Sequence, residues 1–418
     1  MSAIPAFLLF HRAAPAQGVR AEVGDIPAIE GLRGVAILWV LLFHYFVLRE
    51  GKVDDAFIAA VKSWAPVEAF VRNGYLGVDL FFVITGFLLT LPWFRRAELG
   101  LAAPDWRAFY ARRARRILPA YYVQLVFLFF VVLPLLRPRI WIESTPFVVG
   151  NVGAHATFLH YASAFTSSSM GVNGALWTLA IEFQYYLLLP VIAPLFVRWP
   201  WRSLVAAAVV AATWRWLATN ELDALVALLQ QPVAKAGTTE ADIRHLLRTQ
   251  LPAWSLHFAL GVLAGRAWVR QQRAFPSDAR AWIAPAIASA AVGGLLFTLL
   301  HGTSILGGLG WIVFPLLIAA VVVAVASMPS TWLSGLVASP PLAALGRISY
   351  SAYLYHLPLL LLFNAFLPGT EAFPPFVLWL LAVLGVATAS YRLVEVPHLL
   401  ASRAEPCPTP PGHSIHAQ

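Results

Sequence analysis

Glu30–Phe46, EGLRGVAILWVLLFHYF, places Arg33 and His44 eleven residues apart with only apolar residues and glycine between them. Eleven residues make three helical turns at about 100° per residue, so both side chains fall near one face, about 16 Å apart along the axis. That is roughly half of the ~30 Å hydrocarbon core of a bilayer. An ionisable side chain at the centre of a membrane helix costs ~2.5–3.5 kcal/mol and must be paired or face water. Read alone, Arg33 is a headgroup anchor and His44 a satisfied polar residue of the core. Their shared face points instead to work inside the membrane.

The rest of the chain makes the membrane reading general. Of 418 residues, 60% are hydrophobic and only 12% charged, and the mean hydropathy is +0.72. A soluble domain does not dilute charge over such a length. Ten apolar runs have the length of a span: 31–49, 75–92, 117–136, 174–197, 202–219, 250–269, 281–300, 306–327, 344–367 and 374–394. The spacing predicts an all-α, polytopic transmembrane helical bundle of about ten spans with no fused soluble domain. The organisation expected is a cytosolic N-terminal segment 1–26, a membrane domain 27–400, and a disordered Pro-rich tail 401–418. The run 148–162 is broken by Asn151, Gly153, His155 and His160 and reads as re-entrant or interfacial. Within 220–249, ELDALVALLQ (221–230) and DIRHLLRTQ (242–250) read as short interfacial helices, and 137–173 is polar enough to line an outer entrance.

An even number of spans puts both termini on one side, and the distribution of arginine says which. Arg95, Arg96, Arg107, Arg112, Arg113, Arg115 and Arg116 crowd 93–116, and Arg270, Arg273 and Arg280 mark 270–280. The opposite-side loops 137–173 and 301–305 hold Arg137 and Arg139. The chain is therefore expected in the inner (plasma) membrane with both termini cytoplasmic. The net charge of +9 sits beside membrane spans, which favours topology and anionic headgroups over nucleic acid. The short apolar stretch IPAFLLF (4–10) lacks the basic flank of a signal peptide. The one cysteine, Cys407, lies in the tail, leaving no internal disulfide and no Cys-based metal site.

Four clusters carry ionisable residues. Arg33 with His44 is the first. In NGYLGVDLFFVITGFLLT (73–90), Asp79 lies just inside an apolar run, as a helix-terminal acid or a partner for His44 or an arginine; Gly74, Gly77 and Gly86 suit close helix packing. In RRARRILPAYY (112–122), Arg112–Arg116 with Tyr121 and Tyr122 make a cationic rim with aromatic anchors. Guanidinium forks suit phosphate oxygens, either of a pyrophosphate-bearing donor or of lipid. LWTLAIEFQYYLLLP (176–190) and GRISYSAYLYHLPLL (346–360) bring Glu182 and His356 to mid-span, each among tyrosines. A buried carboxylate can fix an imidazole's tautomer, so Glu182 is a candidate orienter of a histidine; a structural polar network is the alternative. HExxH, Cys pairs and carboxylate-rich loops are missing from the sequence, as are a Walker A loop and a GxSxG elbow, so no metal is expected.

These clusters, with the closing YRLVEVP (391–397), resemble the acyltransferase type 3 family of bacterial integral-membrane O-acyltransferases, collinearly over about residues 27–398. The family's Arg-x10-His falls on Arg33 and His44, its Arg-x-x-Arg on Arg113 and Arg116, its mid-chain Glu on Glu182, its late His on His356, and its terminal Glu-x-Pro on Glu395 and Pro397. Two positions depart: Glu30 stands where Asp is commoner, and Thr85 where Ser is commoner. The resemblance implies transfer of an acyl group, usually acetyl, from cytosolic acyl-CoA to a hydroxyl of a carbohydrate or similar acceptor. It implies Arg113, Arg116, Arg33 and Tyr122 as donor-binding residues, and His44, Arg33, Glu182 and His356 as catalytic or supporting ones. Some relatives carry a fused extracytoplasmic domain, not expected here; a separate envelope partner is compatible with that. A transporter or flippase of a glycan or lipid intermediate is the alternative, but it predicts inverted repeats and paired broken helices that the sequence lacks.

Overall fold

The computed structural model describes residues 26–51, 55–167, 171–221, 223–224, 227, 240–274, 277–305, 307–328, 332–367 and 375–404. The N-terminal segment up to residue 25, most of the interfacial helix expected at 221–230, and the tail from residue 405 lie outside them.

Where described, the ten apolar runs fall mainly on long helices, the run 344–367 being divided between Pro340–Arg347 and Ser349–Phe366. The long helices are α1 (Pro27–Arg49), α2 (Leu76–Glu98), α3 (Trp106–Phe127), α4 (Trp177–Arg198), α5 (Pro200–Asn220), α6 (Leu251–Ala274), α7 (Ser277–Ile305), α8 (Gly310–Ser327), α9 (Ser349–Phe366) and α10 (Pro375–Ser390). Among the described residues, seven helices are long and apolar enough to cross a membrane. The molecule is an all-α membrane bundle. The end signals are local: Pro27 opens α1 with Glu30 in its first turn and Arg49 in its last, complementing the helix dipole. Asp105 caps α3 by accepting from the Arg107 and Ala108 amides, at 3.1 and 3.3 Å. That cap starts α3 eleven residues before the apolar run at 117–136, so the arginine-rich stretch expected as a loop is helical. Both α3 and α10 run on through a π-helical turn, at Leu128–Val132 and Tyr391–Glu395. The second continues as a helix Val396–Ala404, so residues 401–404 are helical rather than part of a disordered tail. The weak run at 148–162 contains a helix of 12 residues, Thr145–Ala156, about 18 Å long and too short to span. DIRHLLRTQ falls on a short helix, Glu240–Arg248.

The pairing register gives the direction of each helix. Gly74 abuts Trp39 and Phe43, while Gly77 abuts Ala36 and Val40, so α2 runs antiparallel to α1. Gly86 meets Phe258, and Gly265 meets Phe87, so α6 runs parallel to α2. Tyr185 stacks on Phe258 and Arg266 reaches the Phe196 carbonyl, which makes α4 parallel to α6. Arg33, His44 and Arg49 meet Ser349, His356 and Asn364 in the same order, so α9 lies parallel to α1. Thus α1 and α9 run one way and α2, α4 and α6 the other, and Arg112, Arg113 and Arg116 of α3 line the same cavity as Arg33 of α1.

Two contacts bring backbones together. A Cβ at Gly86 would overlap the Phe258 carbonyl, and one at Gly261 the Val83 carbonyl, so α2 and α6 touch through reciprocal glycines. A Cβ at Gly34 would overlap the Leu342 carbonyl and one at Gly346 the Glu30 carbonyl. This second contact, between α1 and the helix Pro340–Arg347, seats the arginine end of α1 beside the start of α9.

At the opposite end, Arg49 is buried and its Nε donates to Asp55 Oδ2 at 3.0 Å. Tyr45 donates to the same oxygen at 2.5 Å, and Arg49 to Asn364 Oδ1 at 2.7 Å. The network ties the end of α1 to α9 and to the short helix Ala56–Lys62, whose N-cap is Asp55.

Candidate active site

A cavity of about 480 Å³ enters the bundle at its arginine-rich end, between α1, α2, α3, α4 and α9. Its mouth carries Arg112, Arg113 and Arg116 of α3 with Glu30 and Arg33 of α1. Along α2 its wall runs from Pro92 to Val78, fourteen residues, about 21 Å of rise and some two-thirds of a hydrocarbon core.

The polar lining is set by helix periodicity. Arg112, Arg113 and Arg116 stand at i, i+1 and i+4 of α3 and share a face. Arg113 rides over the Phe109 ring at 6.0 Å, and its Nε is buried with no hydrogen-bond partner among the described residues. Arg33 donates to Ser349 Oγ at 3.0 Å and to Glu30 Oε1 at 3.3 Å, so α9 and the preceding turn of α1 aim it into the cavity. Glu182 accepts from Thr85 Oγ1 at 3.0 Å and from Tyr186 Oη. The two cavity acids thus neutralise little of the rim: among the described residues no carboxylate forms an ion pair with Arg113 or Arg116. Four guanidiniums facing two carboxylates, with one guanidinium nitrogen orphaned, fit a polyanion such as a diphosphate.

The deep end stops at Val78, Phe82, Thr178, Leu179 and Tyr353. Beyond Tyr353 lies an imidazole pair. His356 Nε2 is 3.3 Å from His44 Nδ1, and the Tyr353 ring centroid is 5.4 Å from that of His356. His356 Nδ1 lies 2.7 Å from the Tyr353 carbonyl, so that nitrogen carries the proton and Nε2 accepts. His44 Nδ1 lies 3.0 Å from the Val40 carbonyl and therefore also carries its proton, shared between Val40 and His356. This leaves His44 Nε2 with a free lone pair. Trp379 Nε1 donates to the His356 carbonyl at 3.2 Å and buttresses the pair from α10. His356 is fully buried, while His44 keeps accessible surface.

Depth can be compared across helices. Val78 follows Gly77, which packs on Ala36 and Val40. The His44 ring leans back toward Val40, as helical side chains do. The end of the cavity and the His44 ring therefore lie at about one level, with Tyr353, which lines that end, against His356.

The structure brings Arg33, Arg113, Arg116 and Glu182 around one cavity and sets His44 against His356. Three expectations need correction. Glu182 orients no histidine: it sits on the cavity wall with Thr85 and Tyr186, and His356 takes the place expected of a carboxylate beside His44. Asp79 pairs neither with His44 nor with an arginine: its Oδ1 accepts from His257 Nε2 at 2.8 Å, because the glycine contact brings α6 against α2. Tyr122 is absent from the cavity lining; 41% exposed, it donates to the Ala156 carbonyl at 3.0 Å. Six residues beyond Arg116 on α3, it is turned about 120° away from that face. His257 escaped the sequence reading, although a lone imidazole in the apolar run 250–269 is itself a signal. Thr85 stood out only as a position where the family pattern more often has Ser, and Tyr353 only as one of the tyrosines around His356. Among the described residues no group of three or more His, Cys, Asp or Glu could hold a metal ion.

These features together define a polytopic helical membrane protein with an arginine-rimmed cavity whose inner end lies near a buried histidine pair. The model of the acyltransferase domain matches residues 26–394, and the chain belongs to that acyltransferase family. It is 26% identical over 388 residues to the peptidoglycan O-acetyltransferase OatA of Listeria monocytogenes, covering 89% of this chain and 55% of that protein. It is 26% identical over 402 residues to the putative peptidoglycan O-acetyltransferase YrhL of Bacillus subtilis, covering 89% and 54%. Over 189 residues it is 29% identical to the regulator of hypoxia-inducible factor 1 of Caenorhabditis elegans, covering 43% and 36%. The chain thus spans about half the length of the two bacterial relatives. No solved structure matches it.

Proposed function

We propose that the chain is a membrane O-acyltransferase that moves an acyl group, acetyl in the first place, from cytosolic acyl-CoA to a hydroxyl of an extracytoplasmic carbohydrate. The membrane domain is taken as 27–400, with the arginine-rich end and both termini in the cytoplasm. The observation that carries the reading is the cavity: at its mouth Arg113 and Arg116 form no ion pair with a carboxylate among the described residues, and its deep end reaches the level of the His44–His356 pair. The peptidoglycan named in the relatives supports a cell-wall glycan as acceptor.

Arg113 and Arg116 hold the CoA phosphates at the mouth, and Arg33 reaches the donor from α1. The pantetheine arm runs inward along α2. His44 Nε2 is the base: it takes the proton of the acceptor hydroxyl as the oxygen attacks the thioester carbonyl. The C–S bond breaks, the ester C–O bond forms, and the proton passes from the imidazolium to the departing thiolate, giving CoA-SH. His356 keeps the Nδ1–H tautomer on His44 and shares the charge of the imidazolium. Tyr353 has to yield for His44 to meet the thioester. Glu182, held by Thr85 and Tyr186, shapes the cavity wall rather than the base.

The test is base-labile ester content of envelope glycans, by mass spectrometry, in cells with the wild-type chain, with His44→Ala and with no chain. Ester that depends on both the chain and His44 is expected. Ester unchanged by His44→Ala would end the catalytic assignment.

A further inference from the structure

The deep end of the cavity differs in kind from its mouth. None of Val78, Phe82, Thr178, Leu179 and Tyr353 is charged, and the two hydroxyls are already engaged. Thr178 Oγ1 donates to Tyr353 Oη at 2.7 Å, and Tyr353 Oη donates to the Ala175 carbonyl at 2.9 Å. Neither proton is left for a ligand, so this end offers apolar surface.

These walls are also held from behind. Phe82 is 2% exposed; its ring meets Trp254 edge-on at 5.0 Å and Phe258 at 4.8 Å. Tyr353 is held in this state by two hydrogen bonds only, and it is Phe82 that fixes the depth. A close-packed ring backed by other rings does not retreat when a ligand presses on it, so the depth available to a substrate is fixed rather than elastic.

With phosphates at the arginines, the other end of an extended donor, its acyl group, falls here. We propose that Val78, Phe82 and Tyr353 form the acyl subsite, that it takes a short uncharged acyl group, and that the Phe82 ring is the stop that sets acyl length. The proposal rests on the acyl-CoA reading above. A succinyl carboxylate placed here would lose its hydration with no donor in return, which argues against a dicarboxylic donor. Truncating Phe82 lengthens the subsite by about a ring, room for several methylenes. Each buried methylene is worth about fourfold in affinity.

Equilibrium binding of CoA, acetyl-CoA, butyryl-CoA and hexanoyl-CoA to the detergent-solubilised full chain tests this without needing the acceptor. Wild type is expected to prefer acetyl-CoA over the longer donors. In Phe82→Ala the butyryl-to-acetyl affinity ratio is expected to rise about 15-fold, the gain of two methylenes, with the affinity for CoA itself unchanged. Phe82→Leu, which keeps most of the packing volume, is expected to move the ratio in the same direction by less, and Val78→Phe to weaken acetyl-CoA but not CoA. A merely structural role would weaken all four ligands in proportion. If wild type binds the donors but no substitution moves the ratio, the acyl subsite is refuted and the donor reading stands. If wild type binds none of the four, the donor reading falls and takes the subsite with it.

Discussion

Arg113→Ala is the substitution that isolates the phosphate-binding claim. The guanidinium lies at the mouth of the cavity above Phe109, with Nε buried and unpartnered and with no carboxylate in direct ion-pair contact among the described residues. Its charge is therefore available to a ligand rather than spent within the protein. A hydrogen bond to a charged group contributes ~1.5–3 kcal/mol, and every 1.4 kcal/mol is tenfold, so removing one such bond should raise the KM for acetyl-CoA by about 10- to 150-fold. Arg113→Lys should recover only part of this, because an ammonium cannot reproduce the planar fork. The assay is steady-state transfer by the purified full chain with acetyl-CoA and, in parallel, with S-acetylpantetheine, which lacks the phosphates. Arg113→Ala should slow the first donor and leave the second unaffected. Equal loss with both donors would refute the argument, because an arginine acting on the fold or on the thioester does not distinguish a donor with phosphates from one without.

Two further substitutions probe the histidine pair and the outer network. His356→Ala removes one of the two acceptors of the His44 Nδ1 proton and should lower kcat, by up to about 10²-fold, while leaving the donor KM little changed. His356→Gln, whose Oε1 can stand near the lost Nε2, should restore part of kcat; a rise in KM with unchanged kcat would place His356 in donor binding instead. Asp55→Ala leaves the buried Arg49 guanidinium without its counter-ion, at ~3–5 kcal/mol, and removes an N-cap worth about 1 kcal/mol. Its thermal unfolding in detergent should begin well below that of wild type, with Asp55→Asn between the two. Unchanged unfolding of Asp55→Ala would mean that the network adds nothing to stability.

The architecture was legible where hydropathy is the dominant force. The described parts of the apolar runs are largely helical, because a backbone in hydrocarbon must satisfy its own hydrogen bonds. The start of α3 was not legible in that way: Trp106–Arg116 is charged, and its helix rests on the Asp105 cap and on the neighbours its arginines line up against. At the site, one-helix geometry read well. The common face of Arg113 and Arg116 follows from 3.6 residues per turn, and so does the misreading of Tyr122, which lies close in sequence but on another face. Partner choice across helices was the illegible part. Whether His44 meets Glu182 or His356 depends on α9 lying parallel against α1, and that placement is fixed by the glycine contact near Gly34 and Gly346, far from either histidine. The same holds for Asp79 and His257, joined through Gly86 and Gly261.

The layer at Tyr353 also bears on the membrane as an electrical insulator. A water column from one face to the other would short-circuit the potential across the bilayer, which is worth about 2.3 kcal/mol per elementary charge per 100 mV. The cavity penetrates most of the way and then ends on a phenol whose hydroxyl is tied to Ala175 and Thr178. Closing the cavity at this layer, instead of letting it run on to the other face, keeps charge from leaking through the protein.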